Sequence, residues 1–199
     1  MMASYQRIIE DHLRNLYSNP MEGLEGALPA HKKRDSYYFR AFGEDCCLGP
    51  DEITLSEESE TGPKGLLISL YATRVSQESI QLEPFKAFKD LPDSMPYHGA
   101  FAVNSEQILV PHVLQIKERQ DVLLEVFNGK PDPAGAAGDF SLLLYPLPKI
   151  ALCYVFYLPD EEFPASATCL FSSNALSFIP LDGLADVGEY TSKKILQLI

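Results

Sequence analysis

Apolar residues recur at spacings of three and four over residues 4–17, where Tyr5, Ile8, Ile9, His12, Leu13 and Leu16 are interleaved with Arg7, Glu10, Asp11 and Arg14. That period predicts an amphipathic helix. Asn19-Pro20 ends it, because the residue before a proline is pushed out of helical backbone. Residues 20–35 carry Pro20, Gly23, Gly26 and Pro29 and read as irregular. The pattern then shortens. Tyr37–Phe42, Cys46–Leu48 and Ile53–Leu55 are β-prone runs divided by Gly43-Glu44-Asp45 and Gly49-Pro50-Asp51, which predicts an antiparallel meander.

Helical spacing returns over residues 63–75. Pro63 suits the first helical position, where its missing N–H costs nothing, and Leu66, Leu67, Leu70 and Tyr71 continue the stripe, although Leu66–Tyr71 taken alone also fits a buried strand. Residues 82–104 have no period and are dense in aromatics and prolines, so they read as a long ordered loop with at most one helical turn. Ser105 as N-cap with Glu106 in the first turn predicts a helix over residues 105–127, kinked or split at Pro111. Residues 128–139 read as a Gly/Pro/Ala connection. In the last quarter, residues 140–145, 150–157 and 168–171 are predicted strands, with an acidic turn from Pro159 to Pro164 between the second and third. Residues 150–157 lack polar alternation, so that strand is expected to be buried on both faces. Asp182–Ile199 is a closing helix with Leu184, Val187, Tyr190, Ile195 and Leu198 on one side.

These elements predict an α+β fold in one domain. An antiparallel sheet from the strands near 36–56 and 140–171 is covered by helices near 4–17, 63–75, 105–127 and 182–198, the first of them packed in or standing as an appendage. The apolar share of 46% is ordinary for a globular chain. The net charge is −12 and the longest basic run is Lys32-Lys33-Arg34 beside His31. Tight nucleic-acid binding needs several clustered cations, and anionic membrane surfaces select for the same, so neither is an expected partner. The apolar run Ile150–Leu158 is about half the ~20 residues of a membrane span. The charged start does not read as a secretory signal, which leaves a cytoplasmic location as the expectation. The cysteines Cys46, Cys47, Cys153 and Cys169 form no C-x-x-C pair, so no disulfide, zinc site, iron–sulfur cluster or other cofactor is expected.

Several residue groups carry candidate chemistry, each with a plainer alternative. The preferred ligand-binding set is Phe85, Lys86, Phe88, Lys89, Tyr97 and His98. It combines aromatic surfaces, two cations and a histidine in a non-periodic segment, and Lys86 and Lys89 stand one helical turn apart, within reach of one phosphate or carboxylate. The alternative is a loop whose aromatics plug the core and whose lysines are solvated. Asp160-Glu161-Glu162 is either a carboxylate site or a solvated turn. Cys153 and Cys169 each lie eight residues from Glu161, so a hairpin centred there would set them facing each other, as a redox pair or as two buried apolar thiols. Cys46-Cys47 on a strand predicts one thiol in and one out. Thr61-Gly62-Pro63-Lys64-Gly65 lacks phosphate-loop spacing, and no nucleophile elbow or Ser/His/Asp order is present. His98 and His112 have no third metal ligand at diagnostic spacing.

Pro146–Leu152, Asp160–Ala167, Leu170-Phe171 and Pro180–Glu189 resemble the C-terminal signature of a family catalogued as domain of unknown function 3786, and Thr61–Leu67 with Leu82–Lys86 resembles its central region. The resemblance implies a prokaryotic protein, typically of strict anaerobes. It supplies no catalytic residues. Some relatives carry an added four-cysteine iron–sulfur domain like that of corrinoid iron–sulfur proteins, which this sequence lacks. Together these readings make a non-catalytic accessory or ligand-binding protein the expected function, with a partner in a corrinoid or metalloenzyme system. An enzyme acting on a small anionic substrate through Lys86, Lys89 and His98 is the second expectation, and a structural homodimer the third.

Overall fold

The computed structural model describes residues 2–199, with side chains from Tyr5 onward. Helix α1 (Met2–Ser18) opens the chain and α2 (Leu24–Ala27) follows. Five strands then form a meander in sequence order: β1 (His31–Lys33), β2 (Ser36–Ala41), β3 (Glu44–Leu48), β4 (Ile53–Leu55) and β5 (Glu58–Ser59). Residues 20–35, expected to be irregular, thus contain a short helix and an edge strand, too short for a readable period. The meander alternates as a half-buried sheet must. Tyr37, Phe39, Ala41, Cys46 and Leu48 face inward, while Tyr38 and Asp45 face out. Helix α3 (Pro63–Arg74) and α1 cover the inner face, where α1 buries Ile9, Leu13 and Leu16 in the main core.

The α+β class stands, with a division the sequence did not suggest: the strands form two five-stranded antiparallel sheets. The second consists of β6 (Lys86–Ala87), β7 (Lys130–Pro131), β8 (Phe140–Leu147), β9 (Ile150–Tyr157) and β10 (Ser166–Phe171), in the order β6-β10-β9-β8-β7. The Phe42 N–H donates to the Pro146 carbonyl at 2.6 Å and joins the two sheets. Strand β9 is buried on both faces, as its unbroken apolar run requires. One face, with Leu152, Tyr154 and Phe156, belongs to the main core. The other, with Ala151, Cys153 and Val155, forms a smaller cluster beneath Ile80, Leu82 and Phe85.

Residues 82–104 are not mainly loop. After β6 comes a 3-10 turn (Phe88–Asp90), then helix α4 (Met95–Phe101), which runs without a break into a π-helical turn (Ala102–Glu106). Ser105 is therefore inside a helical run and caps nothing. Pro111 does interrupt the run: Gln107–His112 is 3-10, and α5 (Val113–Glu118) and α6 (Gln120–Val126) follow. The closing helix is α7 (Leu181–Leu198), whose Leu184, Val187 and Ile195 are fully buried.

Candidate functional site

Helix α4 and its π turn present a stripe at helical spacing: Tyr97, Ala100, Phe101, Asn104 and Ser105. The stripe faces a matching one on α7, Asp182, Ala185, Asp186 and Glu189, across a cleft of about 140 Å³. Each wall contributes one alanine, Ala100 and Ala185, whose small side chains leave room in the cleft. Phe101 sets its depth. That ring stacks on Phe88 at 4.3 Å between centroids and packs on Phe171 at 5.5 Å. It also lies against Gly188, where an added Cβ would come within 2.6 Å of Phe101 Cε2.

The π turn has two effects on polar groups. Wider turns of this kind occur frequently at functional sites. On the cleft side, Ser105 is fully buried and its hydroxyl has no hydrogen-bond partner. On the inner side, Glu106 turns toward the second sheet. Strand β6 pairs only with Leu170 and Phe171, and the next amide of β10, the Cys169 N–H, donates to Glu106 Oε1 at 2.9 Å. Burial raises the Glu106 carboxyl above its usual range, and the Cys169 N–H, His98 and Lys89 pull it partly back. The His98 Nδ1 beside it is buried without a partner. Buried polar atoms are nearly always paired, so two orphans along the continuous run of α4 and the π turn mark it out.

Beneath the π turn runs a buried chain. The Tyr154 hydroxyl meets Ser192 Oγ at 3.0 Å, and Ser192 Oγ donates to the Ser105 carbonyl at 2.7 Å. It ties β9 and α7 to the π turn. On α7, burial comes first and the carboxylates of Glu189 and Asp182 follow in raising the Asp186 carboxyl, against a smaller opposing pull from Lys193. Asn104 Nδ2 donates to Glu189 Oε2 at 3.3 Å, and Lys193 also pairs with Glu189.

The structure divides the six expected ligand-site residues. Tyr97 lines the cleft. His98 and Lys89 both act on Glu106. Phe88 is core, the partner of Phe101. Phe85 packs on the other face of the second sheet with Cys153. Lys86 lies on β6, and its Nζ donates to the Ser173 carbonyl at 3.0 Å. Strand geometry at residue 86 and a 3-10 turn at 88–90 replace the helical turn that would have paired Lys86 with Lys89. Sequence reasoning missed Asn104, Ser105, Glu106 and the α7 acids as one site. The spacing of Asp182, Asp186 and Glu189 on one helix face was the available signal.

Cys153 and Cys169 do not face each other. Cys153 pairs with Leu170 and Cys169 with Tyr154, so the thiols point to opposite faces of the sheet. Ser166 pairs with Tyr157, which sets the register one residue away from a hairpin centred on Glu161, and a one-residue slip reverses every side chain. Burial pushes the Cys153 thiol up to about 12 and holds those of Cys46 and Cys169 high, which suits inert core thiols. Cys46 is buried and Cys47 partly exposed, as expected of strand neighbours. In the acidic turn, Asp160 Oδ1 accepts the backbone N–H groups of Glu162 and Phe163 at 2.8 and 2.7 Å, which is local turn closure. A broad cavity of about 430 Å³ beside it is lined by Asp139, Tyr157 and Phe163. Among the described residues no group of three His, Cys, Asp or Glu is placed to hold a metal ion, and no helix is long and apolar enough to cross a membrane.

A family model described as Domain of unknown function (DUF3786) matches residues 4–194. No curated protein and no solved structure matches the chain.

Proposed function

Because this chain belongs to the DUF3786 family, whose description names no activity, we propose a function from the site: a non-catalytic accessory module that binds a small ligand or side chain between α4 and α7. The observation that carries the reading is the Ser105 hydroxyl, fully buried on the cleft wall and without a partner. A cleft of about 140 Å³ suits a group of a few heavy atoms, below the ~300 Å³ at which sites for drug-sized ligands begin. The corrinoid or metalloenzyme association implied by the family resemblance therefore enters this reading as a contact with a protein partner in anaerobic metabolism, not as enclosure of a cofactor ring.

The test is a panel of small ammonium, carboxylate, phosphate and alcohol probes, followed through the backbone amides of Tyr97, Asn104, Ser105 and Gly188 by NMR. At least one class should move these amides saturably, and the large side chain of Ala185→Trp should abolish the response. No response from any class, or a response that persists in Ala185→Trp, refutes the reading.

A second reading, an enzyme on a small anionic substrate using Lys86, Lys89 and His98, is favoured by one observation: Lys89 and His98 both act on the half-buried Glu106 carboxyl. It requires that inorganic phosphate or acetate bind the native protein and that Lys89→Ala abolish this binding. Failure of both anions to bind excludes it.

A further inference from the structure

The walls of the α4–α7 cleft are chemically unequal. One side carries Asp182, Asp186 and Glu189, successive members of one stripe of α7. Two of the three are engaged within the protein. Glu189 is met by Lys193 and Asn104, and Asp182 Oδ1 accepts the Gly183 N–H at 2.9 Å. Asp186 makes no ion pair among the described residues. The opposite side carries the Tyr97 ring and the buried, unpartnered Ser105 hydroxyl. A hydroxyl oxygen accepts an N–H through either of its two lone pairs, and an aromatic face attracts a cation.

Building on the binding role proposed above, we infer that the cleft takes a small organic ammonium group, with Asp186 as its counter-ion, Ser105 as a hydrogen-bond acceptor and Tyr97 as an aromatic wall. Three competing ligand classes fit less well. An anion meets three carboxylates. A hard divalent cation needs six or more oxygens at short, near-fixed distances, and the described residues offer no group of three metal ligands. A neutral alcohol would satisfy Ser105 and leave the carboxylates repelling one another. Size agrees with the ammonium: a cavity of roughly 150 Å³ holds a benzene-sized molecule, and this one is about 140 Å³. Burial first, and repulsion from Glu189 and Asp182 after it, raise the Asp186 carboxyl, and a bound cation would offset the repulsion.

The experiment is a titration of the native chain with butylammonium, read by amide NMR shifts at Tyr97, Ser105 and Asp186, beside parallel titrations with 1-butanol, sodium butyrate and magnesium chloride at matched ionic strength. Butylammonium should give saturable shifts at these amides and the other three should not. Asp186→Asn should weaken binding about tenfold, Ser105→Ala should weaken it less, and Arg14→Ala, on the exposed side of α1, should leave it unchanged. Should Asp186→Asn prove unfolded, Asp186→Ser replaces it as the charge-removing variant. Equal response to butanol, butyrate or magnesium, or full affinity in the charge-removing variant, overturns the ammonium assignment while leaving the cleft as a binding site. Silence of all three amides toward every probe overturns both.

Discussion

Gly188→Ala isolates the contact that sets the depth of the cleft. In an exposed helix interior this change gains stability, because alanine is favoured over glycine by about 1 kcal/mol. Here the new methyl would sit 2.6 Å from Phe101 Cε2 and 3.2 Å from Cζ. The ring cannot swing aside freely, since it is stacked on Phe88 with the planes 12° apart and backed by Phe171. Overpacking of this kind costs about 1–3 kcal/mol, so the net expectation is a loss of roughly 0–2 kcal/mol. For a chain of this length that is a fall in Tm of ~2–4 °C per kcal/mol. Urea unfolding gives the value directly, with an unchanged m-value showing that the unfolded state is unaffected. The Phe101→Leu background supplies the control. Removing the ring edge should make Gly188→Ala neutral or stabilising by up to ~1 kcal/mol, and the double-mutant cycle should show clear coupling. A wild-type background in which Gly188→Ala stabilises by the full helix-propensity gain refutes the tight Phe101–Gly188 contact and the depth assigned to the cleft.

Three further outcomes follow from the same region and from the cores. The raised Glu106 carboxyl means that its contribution to stability is present at low pH and lost as pH rises from the ordinary value of about 4.3 through its raised folded value. Glu106→Gln, which keeps an acceptor for the Cys169 N–H, should therefore gain on wild type as pH rises through that window. His98, Lys89 and the Cys169 amide face the same group in both proteins, and a pH-independent difference in chemical unfolding refutes the assignment. Tyr154→Phe removes the hydroxyl that meets Ser192 Oγ and should cost about 1–2 kcal/mol, whereas a loss below about 0.5 kcal/mol shows that the buried chain is not a fastening. Cys46, Cys153 and Cys169 are at most 2% exposed, so a thiol reagent should modify Cys47 alone in the native protein, and rapid native modification of a second cysteine contradicts the packing of the cores.

What could be read from the sequence followed the strength of each local signal. Strand β9 and helix α7 were legible because an unbroken apolar run and a clean stripe each admit one burial. The α4–π segment was hidden by its own composition. Pro92, Pro96 and Gly99 mimic a loop, although Pro96 sits in the first turn, where proline is tolerated. The register of β9 against β10 was illegible because the parity of the connection is decided by how Asp160 closes the turn, and a shift of one residue carries no signal in composition. The candidate site was half legible. Tyr97 and His98 were on the right element, while the acids opposite Tyr97 arrive from a helix more than eighty residues away.

The second sheet places its most apolar strands in the middle and finishes both edges with two-residue strips, Lys86–Ala87 and Lys130–Pro131. Short edges of this kind, one ending in a proline that has no amide to donate, leave little ladder for another chain to extend. The native protein is thereby guarded against edge-to-edge association. The guard is late and divided, however. Both strips precede the β8–β9 hairpin, but Lys86–Ala87 pairs only with β10, so a nascent chain must carry the bare outer edge of β9 until residues 166–171 have been made. The hazard in producing this protein thus lies in its synthesis and refolding, not in storage of the finished fold.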